Sequence, residues 1–268
     1  MAAILLALKI LLPLAYLATT GVYSRLFFSE DESRHSRHAQ LGLSISLALH
    51  TAYLVLLGAH LHRCPLGNFG EGLLFIAWIL GGIHLLSEWL AETRRLGLFT
   101  LLPATLCVVA GVFLQDDAYA FPPELRSSLL VFHIAASLAS YACFSMAAIL
   151  AGLYLVLHGK LKHKNFDITF RKLPPLDKLD RLSANWSFLG STTMVISSVI
   201  GIWWVRKDGI AGMSAKELAI YLVLLVFLGA GISRRVFGLR GRPHALLILA
   251  GFLMLILTNV IGTHGFGG

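Results

Sequence analysis

The sequence predicts an all-α membrane protein with about eight transmembrane helices. Of the 268 residues, 57% are hydrophobic and only 13% are charged. The mean hydropathy of +0.76 is too apolar for a soluble domain of this length. Eight stretches approach the roughly 20 residues that are needed to cross about 30 Å of hydrocarbon. We therefore expect a single integral membrane domain over residues 1–268.

The first four spans are apolar runs separated by short polar segments. The first run contains Lys9 and Pro13, and no small-residue cleavage site follows it, so we expect a retained span and not a signal peptide. A net acidic loop follows the fourth run. These spans are predicted at residues 2–23, 41–62, 71–90 and 96–114.

The last four spans include the longest apolar run and surround the longest polar segment. Residues 159–184 are basic and contain Pro174-Pro175 followed by LDKLDR, which predicts a connector between two spans. The four spans are predicted at residues 128–157, 185–205, 217–233 and 243–262.

The positive charges predict the orientation. Sixteen of the 22 Lys and Arg residues lie in the loops that follow spans one, three, five and seven. By the positive-inside rule these loops, including the 159–184 connector, are cytoplasmic. Both termini are therefore predicted to lie outside. In a bacterium this would be the inner (plasma) membrane.

Several function classes are disfavoured by what the sequence lacks. We find no internal repeat, Gly-rich phosphate loop, zinc-ligand spacing or nucleotide motif. Cys64, Cys107 and Cys143 are isolated, which excludes a C-x-x-C redox pair and a covalent haem site. The net charge of +8 reflects topology and attraction to anionic lipid, and it does not indicate nucleic-acid binding. We expect no independent catalytic turnover.

Four histidines lie in or at the ends of apolar segments: His50, His84, His133 and His264. Ionisable groups are costly in hydrocarbon and tend to mark a functional site, and neutral imidazole is a common axial ligand of haem iron. The predicted topology places His50 near mid-membrane and His84 in the inner half. It places His133 and His264 at the outer face, where they form one site if the ends of spans five and eight meet.

The motifs around these histidines resemble the cytochrome c assembly (CcsA/CcmC-type) membrane proteins. In that family a transmembrane histidine precedes a Pro-x-x-Asn-x-x-Glu segment and a span that ends in Trp. Pro65, Asn68, Glu71 and Trp78 match it here. The matching segments are LHTAYLVLLGAHLHRCPLGNFGEGLLFIAW from Leu49, then LLVFHIAASLASY, LPPLDKLDRLS and LTNVIGTHGFGG.

The resemblance implies a haem-handling protein for cytochrome c biogenesis. It matches His133 and His264 to an external pair of ligands for non-covalent haem b, and His50 to one intramembrane ligand. Trp203 and Trp204 occupy the place of a tryptophan-rich loop that covers the haem. The implied partners are membrane lipid, haem, and other membrane proteins of cytochrome biogenesis or a respiratory complex.

Two departures from the family pattern favour the divergent HemX/YpjD-like branch. The tryptophan-rich core is shortened to WWVRKDGIAGMSAKE, and no residue near Ile232 in span seven supplies the second intramembrane ligand. His84 is one candidate replacement. The alternative function is a non-catalytic scaffold or accessory subunit that regulates a haem-biosynthesis, transport or respiratory partner.

Each histidine and tryptophan also has a structural interpretation. His50 and His84 would then be hydrogen-bonding residues between helices, worth about 0.6–2 kcal/mol. His133 and His264 would be interfacial residues, and Trp203 and Trp204 would belong to an aromatic belt.

Overall fold

The structure, a computed structural model, describes residues 2–30, 32–115, 127–164, 166–207 and 215–263. These residues are almost entirely helical and contain no strand. Their elements are α1 (Ala2–Phe28), α2 (Glu32–Leu61), α3 (Phe69–Ala91), a 3-10 turn (Arg94–Leu96), α4 (Gly97–Leu114), α5 (Ser128–Lys162), α6 (Ile168–Lys172), α7 (Leu176–Lys207), α8 (Ala215–Val236) and α9 (Arg242–Thr263).

The predicted membrane fold is confirmed. Within the described part of the chain, eight helices are long and apolar enough to cross a membrane, and they correspond one by one to the eight predicted spans. The chain is an integral, multi-pass membrane protein.

Several helices continue beyond the apolar runs from which they were predicted. α2 begins at Glu32, and α7 begins at Leu176, within the predicted connector. Backbone i→i−4 hydrogen bonds are satisfied in water as well as in lipid, so a helix does not end where its apolar residues end. The connector at 159–184 is consequently helical over much of its length.

The short helix α6 lies in this connector and is capped by Asp167. The Asp167 side chain accepts a hydrogen bond from Phe170 N at 3.0 Å and another from Lys160. The Lys160 hydrogen bond, followed by the Phe170 hydrogen bond, lowers the pKa of this carboxyl.

The chain divides into two compact units, Met1–Leu138 and Ala139–Gly268. Unit 1 contains α1 to α4 and the start of α5. Unit 2 contains the rest of α5 and α6 to α9. We describe each unit by itself.

In unit 1, α3 and α4 approach each other closely because glycines line their contact. A Cβ at Gly70 would lie 2.5 Å from the backbone N of Gln115, and a Cβ at Gly111 would lie 2.9 Å from the carbonyl O of Gly70. Only glycine permits such contact of two backbones. This pair places the start of α3 against the end of α4.

Hydroxyl pairs join α1 to its neighbours in unit 1. Thr19 bonds to Ser46 of α2 at 2.9 Å, and Thr20 bonds to Thr105 of α4 at 2.8 Å. In hydrocarbon such bonds stabilise helix association by about 0.6 kcal/mol on average. They fix the rotation of α1 and thereby the direction of its tyrosines.

In unit 2, aromatic stacking and an ion pair hold the helices. Phe144 of α5 stacks on Phe227 of α8 with ring centroids 3.8 Å apart. At the start of α7, Asp180 accepts hydrogen bonds from Arg234 at 2.7 Å and from the backbone N of Gly241 at 3.1 Å. One carboxylate therefore joins α7 to the last turn of α8 and to the segment between α8 and α9.

Candidate functional site

His50 lies in α2 and is completely buried inside unit 1. Its Nδ1 is 2.9 Å from the hydroxyl of Tyr16 in α1, and the two rings meet edge to face with centroids 5.5 Å apart. The phenol thus fixes both the position and the rotation of the imidazole.

The other ring nitrogen of His50, Nε2, is buried and has no hydrogen-bond partner among the described residues. Buried polar atoms are rarely left without one. Histidines that ligate metals commonly bind through one nitrogen while the other is held by a protein group. The arrangement at His50 has this form, with Nδ1 held and Nε2 available as a ligand.

His84 has a different environment, because it forms a cluster with Glu88 and Tyr23. Its Nε2 lies 3.1 Å from Oε1 of Glu88, and the hydroxyl of Tyr23 donates to the same oxygen at 2.5 Å. From the sequence, Glu88 is expected at the membrane interface. The structure buries its side chain, at 3% exposure, where Tyr23 of α1 contacts it, and its place at the membrane interface stays a prediction.

His50 and His84 belong to separate clusters at different heights along α1. Their partners Tyr16 and Tyr23 are seven residues apart, which is about 10.5 Å along a helix. Like His50, His84 has one ring nitrogen held, by Glu88, and one without a partner among the described residues, so the separation along α1 is what distinguishes the two. This geometry gives no support to His84 as the second ligand of an iron bound by His50.

The Pro-x-x-Asn-x-x-Glu segment forms the N-terminal cap of α3. Asn68 accepts a hydrogen bond from the backbone N of Glu71 at 2.9 Å. The carboxylate of Glu71, which is fully buried, accepts from Arg63 at 2.7 and 2.8 Å and from the backbone N of Gly67 at 2.6 Å. Glu71 therefore faces a basic group, Arg63.

Beside this cap lies an apolar groove of about 320 Å³ between α2 and α3. Trp78 forms part of its wall and donates from Nε1 to Thr51 at 3.0 Å. Burial, followed by the nearby Glu71 carboxylate, raises the pKa of the Cys64 thiol at its end. The groove is lined by Thr51, Leu54, Val55, Gly58, Arg63, Cys64, Pro65, Phe75 and Trp78.

The residues predicted for the external site are described only in part. His133 is half-buried near the start of α5 in unit 1, whereas His264 lies outside the described residues. In unit 2, Tyr141 of α5 and Asn259 of α9 share a side-chain hydrogen bond. Two of the motif residues named by the resemblance are therefore in contact, five positions before His264.

The two predicted haem-covering tryptophans lie in the last turns of α7. Trp203 is 61% exposed. Trp204 is half-buried, and its indole N–H has no hydrogen-bond partner among the described residues. The segment that follows, residues 208–214, lies outside the described part of the chain.

Comparison with known proteins assigns the chain to a family. The model of the family described as "Cytochrome C assembly protein" matches residues 66–261, which is most of the sequence. The chain belongs to the cytochrome c assembly protein family. This confirms the resemblance seen in the motifs.

Curated relatives of this cytochrome c assembly family member include proteins named HemX and CcsA. It is 29% identical over 242 residues to "Protein HemX" of Bacillus subtilis (strain 168), which covers 87% of this chain and 88% of that protein. It is 30% identical over 216 residues to "Protein HemX" of Brevibacillus brevis, covering 76% and 78%. It is 27% identical over 293 residues to "Cytochrome c biogenesis protein CcsA" of Chlorella vulgaris, covering 94% and 92%.

Sequence reasoning missed the tyrosines that hold the histidines of this family member. Tyr16 and Tyr23 lie in a helix that reads as uniformly apolar, and only their seven-residue spacing places them on one face. The i,i+4 spacing of His84 and Glu88 could have predicted that the two side chains contact each other on one helix face.

Proposed function

We propose that this protein binds haem b non-covalently and handles it for cytochrome c biogenesis. His50 carries the proposal, because its buried Nε2 has no protein partner while Tyr16 holds Nδ1. An imidazole held in this way fits the axial position of haem iron. The proposed external pair is His133 and His264, with Trp203 and Trp204 covering the porphyrin.

In this proposal the residues of the chain bind the haem, orient the histidine that ligates it and shield that histidine from water. When bound, haem would supply an iron that neutral imidazole can ligate, and His50, His133 and His264 would hold it. Tyr16 prevents rotation of the His50 ring, and the surrounding helices exclude water from it. The Tyr141–Asn259 hydrogen bond supports a meeting of α5 and α9, which an external pair of ligands requires.

We further propose the placement that the charge pattern predicts. Both termini and the α2–α3 loop lie outside the bacterial inner membrane, and the 159–184 connector lies in the cytoplasm. Haem delivery at the outer face then brings the protein together with other membrane proteins of cytochrome biogenesis. The relatives named "Cytochrome c biogenesis protein CcsA" support this role.

The test is the absorbance spectrum and pyridine haemochrome of protein purified in detergent, with haem supplied during expression. We expect a Soret band that decreases in His50→Ala and in His133→Ala or His264→Ala. His60→Ala is the matched control, since His60 is an exposed histidine of the same helix as His50. No Soret band in the wild-type protein, or equal bands in all four variants, would contradict haem binding.

The second candidate function is a non-catalytic accessory subunit. Ile232 of α8, the position expected for a second intramembrane ligand, is an apolar side chain 56% exposed in unit 2. The relatives named "Protein HemX" are compatible with this role. A partner that co-purifies in fixed proportion with haem-free protein supports the accessory role over haem delivery.

A further inference from the structure

Unit 1 contains a second buried polar cluster that the proposed haem site does not use. Four side chains at the end of α3 and just beyond it are at most 3% exposed, and each has a polar atom without a hydrogen-bond partner. Seven such atoms occur in the described part of the chain, and four of them lie within this ten-residue segment. They are His84 Nδ1, Ser87 Oγ, Glu88 Oε2 and Thr93 Oγ1.

The protein bonds of this cluster are concentrated on one atom. Oε1 of Glu88 accepts from Tyr23 at 2.5 Å and lies 3.1 Å from Nε2 of His84, whereas Oε2 has no partner. A carboxylate accepts hydrogen bonds at both oxygens. The cluster therefore has unused acceptors and hydroxyl donors, whereas most buried polar side-chain atoms in proteins have a hydrogen-bond partner.

The cluster lies next to a polar segment of the chain, the turn between α3 and α4. Gly97, the first residue of α4, is so close to Tyr23 and His84 that a Cβ there would lie 2.1 Å from the Tyr23 ring and 2.8 Å from His84 Nε2. The turn before Gly97 carries Arg94, which is exposed. Tyr23 also packs in an apolar cluster with Ala39 and Leu43 of α2, so the polar side of this region is the turn at Arg94.

We propose that this cluster is a buried water site at the end of α3, next to the Arg94–Leu96 turn. Buried polar groups that lack protein partners are commonly bonded to ordered water, which needs two to four polar partners. The four unpartnered atoms supply donors and acceptors for it. Ionisable residues within membrane proteins characteristically face such water-filled spaces. Water here would give Glu88 and His84 a route for proton exchange with solvent.

The experiment compares two serines that are equally buried in unit 1. Ser87 is 2% exposed and Ser46 is 1% exposed, but the Ser46 hydroxyl is bonded to Thr19 at 2.9 Å and belongs to no such cluster. Ser87→Cys and Ser46→Cys are made in full-length protein whose three native cysteines are replaced by alanine. Both are treated in membranes with a small, water-soluble methanethiosulfonate.

We expect Ser87→Cys to react about tenfold faster than Ser46→Cys, because a thiol reacts as thiolate and needs water to form it. Equal rates in membranes, with full reaction of both after unfolding in detergent, overturn the proposal. This comparison does not depend on haem. The water site can therefore fail while haem binding is supported, and haem binding can fail while the water site is supported.

A measurement on unaltered protein covers the case in which Ser87→Cys fails to fold. Radiolytic hydroxyl-radical labelling modifies side chains beside bound water. We expect oxidation of Tyr23 and His84 but not of Tyr53, which is also buried, at 1% exposure, and whose hydroxyl donates to Gln115. Labelling of Tyr23 no greater than that of Tyr53 contradicts the water site.

Discussion

Tyr16 and Tyr23 decide what the two buried histidines of unit 1 can do. Each phenol lies edge to face against one imidazole, with centroids 5.5 and 5.3 Å apart. Tyr16 bonds to His50 directly, whereas Tyr23 bonds to the carboxylate that His84 contacts. The first arrangement leaves Nε2 of His50 without a protein partner, whereas the second engages Nε2 of His84 and leaves its Nδ1 without one.

Removal of the Tyr16 hydroxyl tests this difference. If His50 ligates haem, Tyr16→Phe keeps the aromatic packing but frees the imidazole, and loss of such a supporting bond lowers affinity about 10–100-fold. Haem titration of the apoprotein measures the change. The control is Tyr53→Phe, which removes a bond to Gln115 and leaves affinity unaltered. Equal affinities of the Tyr16→Phe and wild-type proteins would show that Tyr16 does not position a ligand.

Gly97 is the residue on which the second cluster depends most directly. Gly97→Ala places a methyl group 2.1 Å from the ring of Tyr23, so Tyr23 or α4 must shift, at a cost of about 1–3 kcal/mol. We expect a lower melting temperature in detergent. Gly82→Ala is the matched control in α3, since nothing lies within 4 Å of its Cβ position. Equal destabilisation by both changes would contradict the contact.

At the scale of the elements, the α2–α3 loop contains a thiol, Cys64, whose reactivity can be measured. Cys64 is exposed, but partial burial and Glu71 raise its thiol pKa. At a given pH a smaller fraction is thiolate than in a free peptide, so alkylation is slower. We expect the pH midpoint of maleimide reaction to lie above that of a cysteine peptide. A midpoint at or below the peptide value would count against the described loop.

The start of α7 gives a second prediction at this level. Asp180→Asn removes the charge that Arg234 and the backbone of Gly241 share, and we expect a loss of about 1–3 kcal/mol of unfolding free energy. Asp177→Asn, at an exposed position in the same turn region, serves as control and is expected to change stability little. Thermal unfolding in detergent distinguishes them, and equal melting temperatures would exclude a stabilising Asp180 contact.

At the scale of the whole molecule, the sequence predicts the spans well and the side-chain contacts poorly. Apolar run length determines which segments cross the membrane, and the eight spans follow from it. The partner of a buried side chain depends on how neighbouring helices are rotated. Composition does not reveal this rotation, so neither the Tyr16–His50 bond nor the contact of Glu88 with Tyr23 was foreseen.

The proposed orientation is also a property of the whole molecule. Cys64 is the exposed native thiol in the α2–α3 loop, whereas Cys143 is buried. We expect a membrane-impermeant maleimide, applied to intact cells above neutral pH, to label Cys64 and not Cys143. Cys64→Ala is the control and should abolish this labelling. Labelling only after the membrane is opened would reverse the proposed orientation.

The glycine contact between α3 and α4 has a mechanical consequence. Two backbones in contact at Gly70 and Gly111 leave no room for a side chain or a lipid tail between them. α3 has 23 residues and is about 35 Å long, with the Glu71 cap at one end and the Glu88 cluster at the other. We therefore expect α3 and α4 to move as one rigid pair, so that a displacement at the Glu71 cap would be accompanied by one at the Glu88 cluster.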